Sequence, residues 1–138
     1  MNDFNLHIIE EFRKNNGVVS GPFEGTPVVL LTTKGAKTGL SRTTPLVGQV
    51  ADDGTLFVFG SKGGAPTNPD WYYNLVANPR VGVEFGAQTY DAKAEVVTGP
   101  YRDEVFARQT EQFPDFGDYE KTAKRVIPVI ALRRAPVG

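Results

Sequence analysis

Six short runs of β-branched and apolar residues, most of them separated by turn sequences, constrain the fold of this chain most strongly. The predicted strands are 28–33, 43–50, 56–59, 81–85, 88–97 and 127–132. The turn sequences 52–54 (Asp-Asp-Gly) and 86–87 (Gly-Ala) join neighbouring runs as hairpins. Because parallel strands need long crossover connections, this spacing favours an antiparallel barrel over a parallel βαβ sheet.

Helices are predicted between and around these strands. Apolar residues recur at helical spacing over about residues 3–16 and predict an amphipathic helix; they are Phe4, Ile8, Ile9 and Phe12. A second helix is predicted over 69–77, with Asn68 as N-cap and Pro69 in the first turn, and a third over 101–112. The segment 113–119 is predicted to be a loop, and Pro128 favours an edge position for the last strand.

Composition limits the class of protein. With 138 residues, 40% of them hydrophobic, the chain is long enough for a single domain spanning residues 1–138, mainly β with flanking helices (α+β). A net charge of −1 argues against nucleic acid as a partner. The chain has no cysteine, consistent with the cytoplasm, and its only histidine is His7. No metal site is therefore expected, and a bound cofactor is expected to supply the reactive atom.

Two glycine-bearing loops carry an unusual local charge. Between residues 26 and 69 the only acids are Asp52 and Asp53, whereas the cations in or beside the loops are Lys34, Lys37, Arg42 and Lys62. Glycines let backbone N–H groups turn inward, and lysine and arginine side chains add donors suited to phosphate or carboxylate. The loops are interpreted as a seat for an anion, with ordinary solvated turns as the open alternative. Neither a Walker loop nor a G-x-G-x-x-G motif is present.

Three ordered motifs resemble the deazaflavin (coenzyme F420)-dependent nitroreductase family of split β-barrel oxidoreductases. They are TTKGAKTG-x-x-R-x-x-PL at 32–46, GSKGG at 60–64 and NP-x-WY-x-NL-x-ANP at 68–79, and the resemblance runs from about Gly25 to the final strand. It implies a split antiparallel β-barrel of the FMN-binding type. It also implies the reduced cofactor F420H2, whose phosphodiester and polyglutamate tail would suit the two cationic loops.

The resemblance also implies roles for individual residues. The expected cofactor-binding residues are Lys34, Ala36, Lys37, Thr38, Arg42, Thr43, Thr44, Pro45, Leu46, Val47, Gly60, Ser61, Lys62, Asp70, Trp71, Tyr73 and Asn74. Phe113, Phe116 and Tyr119 are expected in the substrate pocket, with Tyr101 nearby and Tyr119 as the catalytic hydrogen-bond or proton donor. Simple packing remains an alternative for Trp71, Tyr73 and Phe113.

The implied reaction is hydride transfer from F420H2 to a quinone, a nitroaromatic compound or an activated double bond. Relatives that activate bicyclic nitroimidazoles have tyrosine where this chain has Phe113 and Phe116, which argues against that activity here. The alternatives are an FMN-dependent split-barrel reductase and a non-catalytic F420 carrier. A monomer or weak oligomer is expected, and peripheral contact with the inner face of the cell membrane stays open. The mixed charge of the first helix favours its packing on the barrel.

Overall fold

The computed structural model describes residues 3–21 and 25–135, except for the side chains of residues 3 and 4. Phe4, predicted on the apolar face of the first helix, therefore lies outside the described side chains. The helices are α1 (Asp3–Lys14), α2 (Asp70–Ala77), α3 (Gly99–Gln112) and α4 (Asp115–Ala123). The strands are β1 (Val28–Lys34), β2 (Ser41–Val47), β3 (Gln49–Val50), β4 (Leu56–Phe59), β5 (Arg80–Phe85), β6 (Gln88–Val97) and β7 (Val129–Arg134), and a 3₁₀ turn spans Lys62–Gly64.

The seven strands form one antiparallel sheet in the order β2-β1-β5-β6-β7-β4-β3. The two strands at the ends of this order, β2 and β3, are consecutive in the chain and separated only by Gly48. The sheet must therefore curl until its edges meet, and β2 indeed lies beside β4. The result is a mixed α+β fold with a curled antiparallel half-barrel, as the pattern of short runs predicts.

Gly48 divides the strand that was predicted over 43–50. Its N–H donates to the carbonyl of Pro27 at 2.7 Å, and a Cβ there would lie 2.8 Å from Cγ2 of Val29 and 3.1 Å from the carbonyl oxygen of Phe57. Only a residue without a side chain allows this close approach. The part of the predicted strand before Gly48 pairs with β1, and of its residues only Gln49 and Val50 pair with β4, so the predicted single hairpin arm is wrong.

Two other local predictions are also wrong. The segment 113–119 is largely helical, because Pro114 precedes α4 and the acids Asp115 and Asp118 lie in its first turn, where they favour the helix dipole. The strand after Pro128 is internal, since β7 lies between β6 and β4. Pro128 is tolerated because it precedes the first paired residue of that strand, Val129.

The core has an inner and an outer part. Trp71 and Leu75 of α2 pack against inward-facing residues of the sheet, including Val29 and Leu31, whereas α3 covers the opposite side of β4, β6 and β7. The first helix packs on the outside of β1, and its buried residues Ile8, Ile9 and Phe12 contact Val28 and Leu30. No helix in the described ranges is long and apolar enough to cross a membrane.

The close approach at Gly48 gives a stability prediction. Gly48→Ala should lower the free energy of unfolding by about 1–3 kcal/mol, because the added methyl group overpacks the sheet against Val29 and the Phe57 carbonyl. Gly82→Ala in β5 is the matched control, since its nearest contact would be Cβ of Thr32 at 3.3 Å. Urea titration of both variants should show the larger loss in free energy of unfolding for Gly48→Ala. Equal losses would contradict the conclusion that a side chain at position 48 is excluded by close packing.

Candidate functional site

A cavity of about 400 Å³ opens between β2, the loop after β4, and helices α2 and α4. Its lining residues are Thr44, Pro45, Leu46, Val47, Phe59, Ser61, Lys62, Pro69, Trp71, Phe116 and Tyr119. This volume lies within the range of small-molecule sites, and the lining combines apolar walls with a few polar groups, as such sites do. The cavity can therefore accept a flat organic ring system.

One wall of the cavity is aromatic. Phe116 and Tyr119 are three residues apart on α4, so they lie on one face of that helix, and their ring centroids are 5.4 Å apart. The ring of Phe59, from β4, meets Phe116 edge-on at 5.7 Å. The Tyr119 hydroxyl donates to no group in the described part of the chain, so it is available to a bound molecule.

The first cationic loop has a fixed backbone conformation. The N–H of Gly35 donates to the carbonyl of Leu40 at 2.8 Å, and the N–H of Gly39 donates to the carbonyl of Gly35 at 2.9 Å. Gly39 has a φ of 72°, in the left-handed region that favours glycine. The side chains of Lys34, Lys37 and Arg42 are exposed, and within residues 3–21 and 25–135 they form no ion pair. These cations fit an external anion.

Asn74 of α2 holds the first loop in place. Its Oδ1 accepts a hydrogen bond from the N–H of Ala36 at 3.0 Å, and its Nδ2 donates to Oγ1 of the buried Thr33 at 3.2 Å. The amide is thus engaged within the protein on both sides. Asn74 contacts the loop that carries Lys37, and it does not line the cavity.

Arg125 organises the second loop. Its guanidinium donates to the backbone carbonyls of Gly60 (3.1 Å), Ser61 (3.2 Å), Ala65 (3.1 Å) and Thr67 (2.9 Å), and to Oδ1 of Asn68 (2.6 Å). Asn68 is therefore a partner of Arg125, and the helix cap predicted for it is wrong, because Pro69 occupies the cap position of α2. Lys62 in this loop has a φ of 48°, a conformation that costs about 1–2 kcal/mol for a residue with a side chain.

The structure brings together part of the predicted site. Nine predicted residues line the cavity: Thr44, Pro45, Leu46, Val47, Ser61, Lys62, Trp71, Phe116 and Tyr119. Four other predicted residues lie in or beside the first loop: Lys34, Ala36, Lys37 and Thr38. Gly60 directly follows β4 and packs against Pro128 so closely that an added Cβ would lie 3.3 Å from the proline ring. Their roles in binding stay predictions.

The remaining predicted residues lie elsewhere. Arg42 and Thr43 line a separate groove beside α1, and the Thr43 hydroxyl is 2.7 Å from that of Thr32. Asp70 and Tyr73 are exposed on α2, and Phe113 contacts Phe116 but does not line the cavity. Tyr101 contacts Phe57, away from the cavity.

Sequence reasoning missed three residues of this region. Phe59 and Pro69 line the cavity, and Arg125 supports the second loop. A phenylalanine in a strand and a proline before a helix each have a structural explanation, so nothing local indicated a cavity. Arg125 follows the end of α4 by two residues, where a basic residue is commonly explained by the helix dipole.

A second cavity of about 400 Å³ is a weaker candidate. It lies elsewhere on the barrel, and its basic residues are Arg133 and Arg134. Arg133 pairs with Glu95, and Arg134 stacks on Tyr90 and donates to Gln88. These cations already have partners, unlike those of the first loop.

Comparison with known proteins identifies the family. The family model for F420H(2)-dependent quinone reductases matches residues 7–134. The chain belongs to this family. An F420H(2)-dependent quinone reductase of Mycobacterium tuberculosis is 36% identical over 130 residues, which cover 89% of this chain and 85% of that protein.

Solved structures agree with this assignment. An F420-H2 dependent reductase, FDR-A, is 37% identical with a TM-score of 0.70, and the match covers 78% of this chain and 94% of that one. A Listeria innocua structure named for pyridoxamine 5′-phosphate oxidase is 13% identical with a TM-score of 0.56 over 80% of this chain and 85% of that one, which shows the fold alone. The predicted family, oxidoreductase class and split-barrel fold are confirmed, and the family implies F420H2 as the cofactor.

The contact between α2 and the first loop can be tested in the free protein. Asn74→Ala should speed hydrogen exchange at the Ala36 amide by roughly three- to tenfold, the amount expected for one lost hydrogen bond. Asn78→Ala, just beyond the end of the same helix, is the control and should leave that amide unchanged. Exchange can be followed by NMR, and an unchanged rate in Asn74→Ala would show that the bond does not hold the loop.

Proposed function

We propose that this chain binds F420H2 with its ring system in the 400 Å³ cavity and its acidic tail at the first loop, and reduces a quinone there. The observation that carries the proposal is the continuity of β2. Arg42 lines the neighbouring groove beside α1 and stands two residues before Thr44 on that strand, so a cation without an ion pair among the described residues lies about 7 Å along β2 from the cavity wall. When bound, the reduced deazaflavin supplies a hydride to a two-electron acceptor.

The residues of the chain bind, orient and exclude water. Lys34, Lys37 and Arg42 supply charge-assisted hydrogen bonds to phosphate and carboxylate groups. Leu46 and Trp71 form apolar walls that favour a ring system over water, and the buried position of Trp71, 7% exposed, fixes its side chain. Placing donor and acceptor in one desolvated cavity lowers the entropic cost of their reaction.

Tyr119 is the proposed catalytic residue. Its hydroxyl is attached to a ring that lines the cavity and packs against Phe116, so the donor is held by a rigid helix face. Reduction of a quinone places negative charge on a carbonyl oxygen, and a hydrogen bond to that oxygen stabilises the transition state. Phe116 contributes apolar surface to the same wall but no donor.

The charge of the first loop favours F420 over FMN. The three cations between residues 34 and 42 form no ion pair within residues 3–21 and 25–135; they exceed the need of one phosphate and suit a longer chain of anionic groups. A carrier without catalysis would not need the aromatic wall and the unengaged Tyr119 hydroxyl on the same cavity.

Assembly and location are part of the proposal. The buried face of α1 packs on Val28 and Leu30, so that face is not available to a bilayer, and Leu6 is exposed beside it. This packing favours at most peripheral contact with the inner face of the membrane, and a monomer or weak oligomer in the cytoplasm stays the expectation from the sequence.

Removal of the loop cations should weaken coenzyme binding. Lys37→Ala and Arg42→Ala should each raise the dissociation constant for F420 by about tenfold or more, because a charge-assisted contact contributes ~1.5–3 kcal/mol. Fluorescence titration of the coenzyme measures this constant, and Lys93→Ala, exposed on β6, is the control. Unchanged affinity in both loop variants would refute the assignment of the anion site.

Removal of the Tyr119 hydroxyl should affect the chemical step. Tyr119→Phe should lower kcat with a water-soluble quinone by about 10- to 100-fold and leave the F420 dissociation constant near the wild-type value. Tyr101→Phe removes a hydroxyl away from the cavity and should leave kcat unchanged. Stopped-flow oxidation of the reduced coenzyme distinguishes the two, and full activity in Tyr119→Phe would remove this residue from the mechanism.

A further inference from the structure

Arg125 follows the end of α4, yet its guanidinium forms its hydrogen bonds with a different segment, so a role in stabilising α4 does not explain them. Its guanidinium donates to five acceptors, and all five lie in the segment 60–68. Lys124, with a φ of 55°, ends α4 in the left-handed conformation just before it. The chain therefore turns at the end of the helix, and Arg125 reaches across to the loop that carries Ser61 and Lys62.

The carbonyl contacts determine the direction of two amides. A trans peptide unit places its C=O and the following N–H on opposite sides. Because the carbonyls of Gly60 and Ser61 accept from Arg125, the N–H groups of Ser61 and Lys62 point away from the guanidinium. Both residues line the cavity, and neither amide donates to another group within residues 3–21 and 25–135. Two backbone donors of cavity-lining residues therefore have no partner in that part of the chain.

The charge of Arg125 is not neutralised locally. All five of its acceptors are neutral, and no carboxylate in the described part of the chain lies within 4.0 Å of it. Its positive charge therefore adds to that of Lys62 beside the cavity, which favours a bound group with negative or electron-rich edges.

We propose that Arg125 is a positioning residue of the cofactor site: from the end of α4 it fixes the conformation of loop 60–68 and presents the amides of Ser61 and Lys62 to the coenzyme. The inference rests on the proposed function, in which F420 occupies this cavity. Arg125 follows the helix that carries Phe116 and Tyr119. The Arg125 guanidinium thus connects the end of α4, which carries the aromatic wall of the cavity, to loop 60–68. A Cβ added at Gly64 would lie 3.4 Å from Cα of Tyr119, so a glycine at this position allows the loop to pack closely on α4.

The test compares two arginines of similar structural importance. Arg125→Lys keeps the charge but cannot reach five separated acceptors with one ammonium group. Arg102→Lys is the matched control: Arg102 is buried and donates to Asp103, Glu120 and the carbonyl of Ile127, but to no residue of loop 60–68. Both variants should lower the Tm. Only Arg125→Lys should raise the dissociation constant for oxidised F420, by about tenfold, as measured by its fluorescence.

A second measurement needs no coenzyme. In free Arg125→Lys the amides of Gly64 and Ala65, which donate to the carbonyls of Ser61 and Lys62, should exchange with deuterium at least several-fold faster than in wild type, while those of β1 should not change. Should Arg125→Lys fail to fold, Asn68→Ala removes the acceptor of the shortest Arg125 bond and should raise the same dissociation constant about threefold.

The outcomes separate the two claims. Wild-type protein that does not bind F420 would overturn the proposed function, and this role with it. Binding by wild type together with an unchanged dissociation constant in Arg125→Lys would overturn the inference alone. The inference would also be overturned if Arg102→Lys lost as much affinity for F420 as Arg125→Lys at an equal loss of Tm, because the loss of affinity would then be explained by lower stability.

Discussion

The close approach of the backbone at Gly48 is the constraint on which the site depends. Because no side chain fits between Gly48, Val29 and the Phe57 carbonyl, the chain can step from one edge of the sheet to the other without a connecting loop. This step curls the sheet and brings β2 beside β4. Thr44 and Leu46 of β2 and Phe59 of β4 then line the same cavity, although they are distant in the order of the strands. The cavity is thus a product of sheet closure.

The two cationic loops contain glycines and need support from outside, because glycine loses more conformational freedom on folding than other residues. The support comes from the helices that also supply the walls. The helix of Trp71 carries Asn74, which binds the first loop, and the helix of Tyr119 is followed by Arg125, which binds the second. Since a helix is rigid over this distance, each loop is held at a fixed separation from one wall of the cavity.

The sequence was informative where the signal is local. β-branched runs and hairpin turns predicted most strands, and the cations around Gly35 and Gly39 predicted an anion site, which stays a prediction. The break at Gly48 was missed because a glycine inside an apolar run does not reveal which backbone approaches it. The helix α4 was missed because Gly117 and the aromatic residues outweighed the signal of Pro114 and Asp115. The supporting bonds span 38 residues for Asn74 and up to 65 for Arg125, beyond any local pattern.

The composition of the cavity wall bears on which acceptors suit it. Its polar side chains are Thr44, Ser61, Lys62 and Tyr119, and the other lining residues are apolar or aromatic. A flat acceptor with carbonyl oxygens at its edge can place its rings against Phe116 and one oxygen near Tyr119, whereas a strongly polar acceptor would leave groups without partners. Phe116 provides no donor, so in the proposed mechanism the developing charge is stabilised by Tyr119 and the cationic residues of the loop. Under the proposed function, selectivity for quinone-like molecules follows from the scarcity of donors in an otherwise apolar cavity.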